Sequence, residues 1–329
     1  MNIAVLGAGG WGTTLSIHLA RKNHRVRLWE VFPDYALVLQ GKRKNLKFLP
    51  EISIPKEILI SSDLGKVIFK AEVIIIAVPS FAMREVLEKL KIFDFSGMII
   101  LSATKGLEMN TNYRMSEVIE EELGDKIKWA VLSGPTVAKE VARGTPTTAV
   151  VASNDGKVAA ILQRMLMGNR LRLYTSSDTI GVELGGCLKN IIAIAAGIAD
   201  GLGFGANTKA ALLTRGLAEM QRLGKKMGAK AETFIGLSGL GDLVTTCTSK
   251  NSRNRNFGEA IGQGKKMEQL LKKTEMVIEG INTTSVTCHL AKKFKVEMPI
   301  TNAVYKVLFK DKNPLTAVNE LMNRKEKTE

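Results

Sequence analysis

One lysine of this 329-residue chain stands in a stretch made otherwise of glycine and aliphatic residues. If residues 182–200 form a helix, every neighbour three or four positions from Lys189 is glycine, isoleucine or alanine. Burial lowers the pKa of a lysine from about 10.4, and a second cation such as Lys105 lowers it further. An amine that titrates near neutral pH predicts Lys189 as an acid–base catalyst. The alternative is a lysine whose ammonium group reaches from a core helix to water.

Residues 7–12 read Gly-Ala-Gly-Gly-Trp-Gly and follow an apolar strand directly. In this spacing Gly7 permits a tight turn, Gly9 lets the backbone approach a pyrophosphate, and Gly12 packs the next helix against the strand. Amide groups at the start of that helix, predicted over 13–22, bind the diphosphate. Since a second strand follows at 25–29, the pattern predicts a dinucleotide site.

The second strand ends at Glu30, eighteen residues after Gly12. An acidic side chain at this point binds the adenine ribose hydroxyls of NAD, whereas NADP requires a nearby arginine. The next residues, 31–34, offer no cation to a 2′-phosphate. The sequence therefore favours NAD over NADP, with the alternative that Glu30 only ends a strand in solvent.

Two polar segments in the second half of the chain are further candidates. Residues 236–242 contain three glycines before Asp242. This predicts a loop whose backbone packs closely against another part of the protein or a ligand, and the alternative is a loop that only joins two helices. Ser252, Arg253 and Asn254 combine a hydroxyl, a guanidinium and an amide, a loop composition that suits a phosphate monoester. The alternative is a polar surface turn. Asn190 is a candidate for another part of the same substrate.

Composition narrows the class of protein. The net charge is +15 and aromatic residues make up 5% of the chain, with its lysines spread throughout. Three interpretations compete: a solvated basic surface, attraction of anionic substrates, and nucleic-acid binding. We favour the first, with steering of phosphorylated ligands as an added effect, and expect no nucleic-acid partner because we find no basic arm or DNA-reading helix.

Cysteine and histidine usage gives no sign of a disulfide framework or a metal site. The three cysteines and three histidines are scattered without ligand spacing. A strand beginning at residue 2 leaves no room for a signal peptide, and the longest apolar run, 184–197, predicts a buried core helix instead of a membrane span. We therefore expect a cytoplasmic protein.

These candidates are positioned by two kinds of architecture. Apolar runs at 72–78, 98–102 and 129–132 predict buried parallel strands whose carboxyl ends, including Lys105, face a ligand crevice. Further strands are predicted at 147–152 and 172–174, and helices at 83–91, 113–123 and 156–166. After residue 177 only helices are predicted, at 182–200, 209–227, 256–261, 267–271, 284–293, 301–308 and 314–322. The prediction is an α/β Rossmann doubly wound sheet over 1–177, followed by an all-α C-terminal domain over 178–329.

Nearly the whole chain resembles the bacterial type of NAD(P)-dependent glycerol-3-phosphate dehydrogenase. The resemblance is carried by residues 7–13, 102–106, 132–140, Glu183, 188–190, 236–242, 252–254 and 277–280. It implies reversible hydride transfer between NAD(P)H and dihydroxyacetone phosphate, supplying sn-glycerol 3-phosphate for phospholipid synthesis. It also implies a homodimer and a helical domain like that of 6-phosphogluconate dehydrogenase.

The same resemblance assigns roles to residues. Lys189 is implied as the proton acceptor, with Lys105 and Asp242 near the reacting carbonyl. The implied substrate contacts are Lys105, Gly134, Thr136, Lys189, Asp242, Ser252, Arg253 and Asn254. The cofactor set is Gly7, Gly9, Gly10, Trp11, Gly12, Glu30, Phe32, Lys105, Ala138, Arg253, Val277 and Glu279. Val31 and Phe32 are apolar where the family often carries basic residues, which agrees with NAD, and Thr136 replaces a common serine.

Other Rossmann dehydrogenases remain alternatives, because those acting on 6-phosphogluconate, a 3-hydroxy acid or ketopantoate also use a helix lysine. The segment 236–242 followed by 252–254 argues against them. A non-catalytic NAD-responsive DNA-binding regulator is the alternative from another class, and a salt-sensitive gel shift discriminates it.

Overall fold

The computed structural model describes residues 1–95, 97–272, 274, 276–326 and 328. The chain divides into two compact units, the first made of Met1–Lys105 and Tyr113–Val182, the second of Gly106–Asn112 and Glu183–Glu329. The predicted boundary after residue 177, as a division of cofactor and substrate functions, stays a prediction.

The first unit is built on an eight-stranded sheet with the order β10-β9-β8-β7-β6-β1-β2-β5. The strands are β1 (Asn2–Leu6), β2 (Arg25–Trp29), β3 (Lys44–Asn45), β4 (Leu49–Ser53), β5 (Leu59–Ser61), β6 (Val73–Ile76), β7 (Ile99–Ser102), β8 (Lys128–Ser133), β9 (Thr147–Ala152) and β10 (Leu171–Ser176). The small β3–β4 pair is antiparallel and separate from this sheet. All four side chains of β6 are buried, as expected of a central strand covered on both faces.

The sheet is parallel except at one junction. β8 and β9 pair antiparallel, with Val131 opposite Ala152, whereas β9 and β10 are parallel to each other. An antiparallel edge on an otherwise parallel sheet is common in doubly wound folds. The predicted α/β Rossmann class is therefore confirmed, with this reversal as an addition that apolar runs alone do not reveal.

The helices of the first unit connect these strands. They are α1 (Gly10–Arg21), α2 (Pro33–Lys42), α3 (Leu64–Ile68), α4 (Met83–Leu90), α5 (Met115–Leu123), α6 (Ala138–Ala142) and α7 (Gly156–Leu166). Helix α1 begins at Gly10, three residues before the predicted start, because Gly9 in an extended conformation is its N-cap. The glycine turn thus supplies the first turn of the helix itself.

The second half of the chain is helical, and no strand follows β10 among the described residues. The helices are α8 (Thr179–Gly201), α9 (Ala206–Lys226), α10 (Ala231–Ile235), α11 (Asp242–Thr248), α12 (Arg253–Gly262), α13 (Met267–Lys272), α14 (Glu279–Lys293), α15 (Pro299–Phe309) and α16 (Pro314–Met322). A π-helical turn, Leu237–Gly241, precedes α11. Helix α8 is long and apolar enough to cross a membrane, but its apolar window is wholly buried in the protein, which confirms the predicted core helix.

Helices α8 and α12 cross at backbone contact. A Cβ on Gly197 of α8 would lie 2.0 Å from the Arg255 carbonyl oxygen, and a Cβ on Gly258 of α12 would lie 2.1 Å from the Ile194 carbonyl oxygen. Gly201 and Gly262, each four residues further along, repeat the arrangement at 2.2 and 2.4 Å from backbone oxygens. Only residues without a side chain allow this separation, so the four glycines fix the distance between the two helices.

Candidate active site

The glycine turn of the first unit has two glycines that the fold requires and one that it leaves open. Gly7 has φ +104°, and a Cβ on it would lie 2.8 Å from the Ala77 carbonyl oxygen. A Cβ on Gly12 would lie 1.9 Å from the Gly7 oxygen. A Cβ on Gly9 meets no atom of the described residues within 4 Å. The backbone at Gly9 is therefore open to approach by a ligand, at the positive end of α1, where an anion is favoured.

Other predicted cofactor residues lie beside this turn. A Cβ on Gly10 would be 3.7 Å from Cβ of Ala138, and the Thr14 hydroxyl donates to the Ala138 carbonyl at 3.1 Å. The indole nitrogen of Trp11 is buried and has no hydrogen-bond partner among the described residues. A buried donor of this kind calls for an acceptor from outside the chain. These residues therefore fit an NAD(P) dinucleotide.

Glu30 follows β2 and is only 7% exposed, so the alternative of a solvent-exposed strand end is wrong. Its carboxylate accepts a hydrogen bond from the Phe32 amide at 3.1 Å. Burial raises the pKa of Glu30, while the Phe32 amide and the nearby Lys47 cation oppose this. Lys47 was missed in the sequence because it lies beyond residues 31–34. The Phe32 side chain itself is 67% exposed.

Three predicted substrate residues meet at the carboxyl ends of the neighbouring strands β7 and β8. The Lys105 ammonium donates to the Gly134 carbonyl at 2.9 Å and to the Thr136 hydroxyl at 3.4 Å. Gly134 has φ +133°, and a Cβ on it would lie 3.0 Å from Cα of Ala149, so glycine is required there. The strand pattern predicted this meeting because parallel strands end at the same edge.

In the second unit, Lys189 of α8 is buried, with 6% of its surface exposed. Its ammonium lies 2.5 Å from a carboxylate oxygen of Asp242 and 2.8 Å from the Thr246 hydroxyl. The alternative of a lysine that reaches water is therefore wrong. The sequence analysis did not connect Thr246 with Lys189, although Thr246 follows Asp242 by one helical turn. The carboxylate stabilises the protonated amine, an effect opposite to the one expected from burial and a second cation, and the hydroxyl fixes the direction of the amine.

The segment 236–242 brings Asp242 to Lys189. Its prediction as a loop was wrong: the Gly241 amide donates to the Gly236 carbonyl at 3.1 Å, closing a π-helical turn that leads into α11. A Cβ on Gly185 of α8 would lie 2.6 Å from the Ser238 carbonyl oxygen. The turn thus packs directly against α8 one turn before Lys189, which is the close approach that the glycines indicated.

The segment 252–254 is the N-cap and first turn of α12 and not a loop. Ser252 is the N-cap of α12, and its hydroxyl accepts the Arg255 amide at 3.2 Å. Arg253 keeps an exposed side chain, although neighbouring atoms desolvate its guanidinium and lower its pKa, an effect that the Glu279 carboxylate opposes. The helix starts here because a serine side chain at the N-cap accepts a backbone amide of the first turn, a role that the loop interpretation overlooked.

Asn254 ties three helices together. Its amide nitrogen donates to the Asn190 side-chain oxygen at 2.9 Å, and its amide oxygen accepts the Gly280 backbone N–H at 3.0 Å. These bonds join α12 to α8 and to the start of α14, where Glu279 is the first helical residue and Val277 lies just before. The second unit therefore gathers Lys189 with Asp242, and Arg253 with Asn254 and Glu279.

A surface cavity of about 420 Å³ lies elsewhere in the first unit. It is lined by His18, Arg21 and Lys22 among others, and none of the predicted site residues contributes. His18 lies 2.6 Å from the Leu166 carbonyl oxygen, and Lys22 donates to the Met165 carbonyl at 2.8 Å. These two side chains cap the carboxyl end of α7, and burial lowers the pKa of His18, which favours its neutral form. Among the described residues, no group of three or more acidic, histidine or cysteine side chains is placed to hold a metal.

Comparison with known proteins gives consistent matches. Two family models match the chain: the NAD-dependent glycerol-3-phosphate dehydrogenase N-terminus over residues 2–159 and its C-terminus over residues 178–319. A Thermoanaerobacter sp. protein named as an NAD(P)+ glycerol-3-phosphate dehydrogenase is 50% identical over 329 residues, covering 100% of this chain and 99% of that protein. A relative of the same name from Geobacillus thermodenitrificans is 46% identical, with coverages of 100% and 96%.

Solved structures agree in fold. The crystal structure of glycerol-3-phosphate dehydrogenase from Coxiella burnetii has a TM-score of 0.95 at 44% identity and covers 98% of each chain. That of the Plasmodium falciparum enzyme has a TM-score of 0.88 at 27% identity, covering 100% of this chain and 97% of that one. A ketopantoate reductase from Ralstonia eutropha has a TM-score of 0.62 at 14% identity, which is a likeness of fold alone.

Proposed function

The chain belongs to the NAD-dependent glycerol-3-phosphate dehydrogenase family, and we propose that it transfers a hydride reversibly between NAD(P)H and dihydroxyacetone phosphate, with sn-glycerol 3-phosphate as the reduced product. The observation that carries this is the buried amine of Lys189, held at 2.5 Å from Asp242, in a chain 50% identical over its length to a relative of that activity. The alternative substrates are disfavoured because both family models, and relatives that match the chain over its full length, carry the description glycerol-3-phosphate dehydrogenase.

Lys189 manages the single proton of the reaction. The bound nicotinamide supplies or accepts the hydride. In the reducing direction the Lys189 ammonium donates a proton to the alkoxide that develops on the carbonyl oxygen, and in the oxidising direction the neutral amine takes it back. Asp242 stabilises the charged form of the amine, and Thr246 holds its orientation. General acid catalysis of this kind contributes about 10²–10⁴-fold to a rate.

The phosphate end of the substrate is assigned to the start of α12. Arg253 offers a planar guanidinium that suits a phosphate, and the Ser252 and Asn254 side chains lie on either side of it in sequence. Binding energy from the phosphate aligns the far end of a three-carbon substrate. We assign Lys105, Gly134 and Thr136 to the reacting end, on the support of their shared hydrogen bonds.

The adenine and diphosphate parts of the cofactor are assigned to the first unit, with NAD preferred over NADP. The preference rests on the buried carboxylate of Glu30, which repels a 2′-phosphate, and on the apolar Val31 and Phe32. The remaining proposed cofactor contacts are Gly7, Gly9, Gly10, Trp11, Gly12, Lys105, Ala138, Arg253, Val277 and Glu279. Residues 1–177 are accordingly proposed as the cofactor domain and 178–329 as the substrate domain.

Three broader assignments follow from family membership. We propose that the protein is a homodimer, that it acts in the cytoplasm, and that it supplies glycerol 3-phosphate for phospholipid synthesis. The buried state of α8 agrees with a protein that does not insert this helix into a membrane.

The test is a substrate panel with the purified protein. Absorbance loss at the nicotinamide band is followed with NADH and with NADPH, using dihydroxyacetone phosphate, ketopantoate and a 3-oxo acid as acceptors. 6-Phosphogluconate itself is tested in the oxidising direction, by the absorbance gain with NAD+ and with NADP+. We expect the highest kcat/KM for dihydroxyacetone phosphate with NADH. A higher value for another acceptor overturns the substrate assignment, and a clear preference for NADPH overturns the role of Glu30.

A further inference from the structure

Three charged residues of the second unit lie at helix ends where the helix dipole disfavours them. Asp200 is the next-to-last residue of α8, at its negative end, whereas Lys209 and Arg255 lie in the first turns of α9 and α12, at their positive ends. Each such placement costs about 0.3–1 kcal/mol. Because all three unfavourable charges lie close together, we infer that contacts between the helices, and not the helices themselves, require them there.

The two cations both contact the Asp200 carboxylate. The Arg255 guanidinium lies on one Asp200 carboxylate oxygen, with Nε at 2.8 Å and a terminal nitrogen at 2.7 Å, and the Lys209 ammonium lies 2.7 Å from the other oxygen. The Arg255 and Asp200 side chains are only 14% and 12% exposed. Two guanidinium nitrogens held by one carboxylate oxygen, with little solvent exposure, restrict the orientation of the Arg255 side chain more than a surface ion pair does.

The ion pair adds to the constraint that the glycines impose. Gly197 and Gly258 set the distance between α8 and α12 and place the glycine faces of the two helices against each other. Two polar contacts further oppose rotation of α12 about its own axis: the Asn254–Asn190 hydrogen bond at the start of α12 and the Arg255–Asp200 ion pair that follows it. Arg253 precedes the ion pair by two residues and turns with the helix.

A small rotation of α12 would move Arg253 far enough to weaken its contact with a bound phosphate. A rotation of about 10° moves a group roughly 6 Å from the helix axis by about 1 Å. A misplacement of about 1 Å can cost on the order of 10²-fold in activity. A rotation of α12 by about 10° is therefore enough to misalign Arg253 with the substrate phosphate.

We propose that the Asp200–Arg255 ion pair is a positioning element for substrate binding, which holds the rotation of α12 that directs Arg253 to the substrate phosphate. The inference rests on the proposed function, in which Arg253 binds that phosphate. Neither Asp200 nor Arg255 touches substrate in this role, so both act through Arg253.

The test compares Arg255→Met, Asp200→Asn and the double variant with the unaltered enzyme, at a temperature where all are folded. We expect KM for dihydroxyacetone phosphate to rise roughly 10-fold in each single variant, with a much smaller change in kcat, because the lost interaction serves binding. The double variant should raise KM by less than the product of the two single effects, because the two residues share one interaction. Arg255→Lys, which keeps the charge but loses the fork, should recover KM in part.

Arg84→Met is the matched control. Arg84 lies 2.5 Å from Glu121 in the first unit and also pairs with Glu122, so its loss removes a comparable ion pair away from α12. It should lower the melting temperature and leave KM for dihydroxyacetone phosphate unchanged.

Arg253→Ala tests the phosphate role of Arg253 separately from the positioning role of the Asp200–Arg255 ion pair. If it leaves KM unaltered, the proposed phosphate role fails, and the positioning role fails with it. If it raises KM while Arg255→Met and Asp200→Asn do not, the positioning role alone is overturned. A rise in KM for Arg84→Met equal to that of Arg255→Met also overturns it, because the effect is then general destabilisation.

Discussion

Gly258→Ala probes the crossing of α8 and α12 most sharply. The added Cβ would lie 2.1 Å from the Ile194 carbonyl oxygen, and real Cβ atoms essentially never approach closer than 3.0 Å. Both partners are backbone, so no side-chain rotation relieves the contact. Helix α12 must therefore move away from α8 and carry Arg253 and Asn254 with it.

The cost follows from that displacement. Overpacking of this kind destabilises by about 1–3 kcal/mol, and in a unit of this size each kcal/mol lowers the melting temperature by about 2–4 °C. Because the shift approaches 1 Å at the residues assigned to the phosphate, we expect kcat/KM for dihydroxyacetone phosphate to fall roughly 10- to 100-fold.

The assay pairs thermal unfolding with steady-state kinetics. Gly41→Ala is the control: this glycine also lies within a helix, α2, yet a Cβ on it meets no atom of the described chain within 4 Å. It should stabilise by about 0.5–1 kcal/mol and leave kcat/KM unaltered. If Gly258→Ala keeps both the melting temperature and kcat/KM of the unaltered protein, the reasoning about this crossing is refuted.

Three further expectations concern titratable groups. Burial raises the pKa of Cys247 to about 12 and that of Cys288 to about 11. Neither thiol should therefore react with a disulfide reagent at pH 8 until the protein is unfolded. Rapid labelling of the native protein would contradict this. Burial also raises the pKa of Glu219, which accepts the amides of the first turn of α15. The folded state therefore binds this proton more tightly than the unfolded chain does. Its favourable contribution is complete below the unfolded value of about 4.5 and is lost as the pH rises through the raised value. Urea unfolding across that window should show the stability of the unaltered protein falling relative to Glu219→Gln, and a constant difference refutes the shift. Glu30→Gln should raise KM for NADH by about 10-fold, equivalent to about 1.4 kcal/mol, without raising that for NADPH; an equal rise for both cofactors contradicts the ribose assignment.

Elements with a strong local pattern were predictable from the sequence. The bounds of β9, α7 and α16 are those expected from apolar periodicity, because buried strands and amphipathic helices carry that pattern in adjacent residues. The antiparallel pairing of β8 with β9 was not predictable in this way, since strand direction depends on where distant segments pack.

The candidate site was predictable in its residue types but not in its local geometry. Lys189 and Asp242 were both singled out, yet the π-helical turn that joins them was taken for a loop, because glycine and serine are also typical of turns. The α8–α12 crossing was not predicted, because the need for each glycine comes from backbone atoms of the other helix, which is distant in sequence. The Asp200–Arg255 pair likewise connects residues 55 positions apart, beyond any local pattern.

The turnover number of Lys189→Ala in dihydroxyacetone phosphate reduction with NADH tests the central assignment most directly, with the NADH dissociation constant measured alongside as the check that the cofactor site is intact. We predict a fall in kcat of about 10²–10⁴-fold with NADH binding nearly unchanged. A turnover number close to that of the unaltered protein would contradict the assignment of Lys189 as the group that moves the proton.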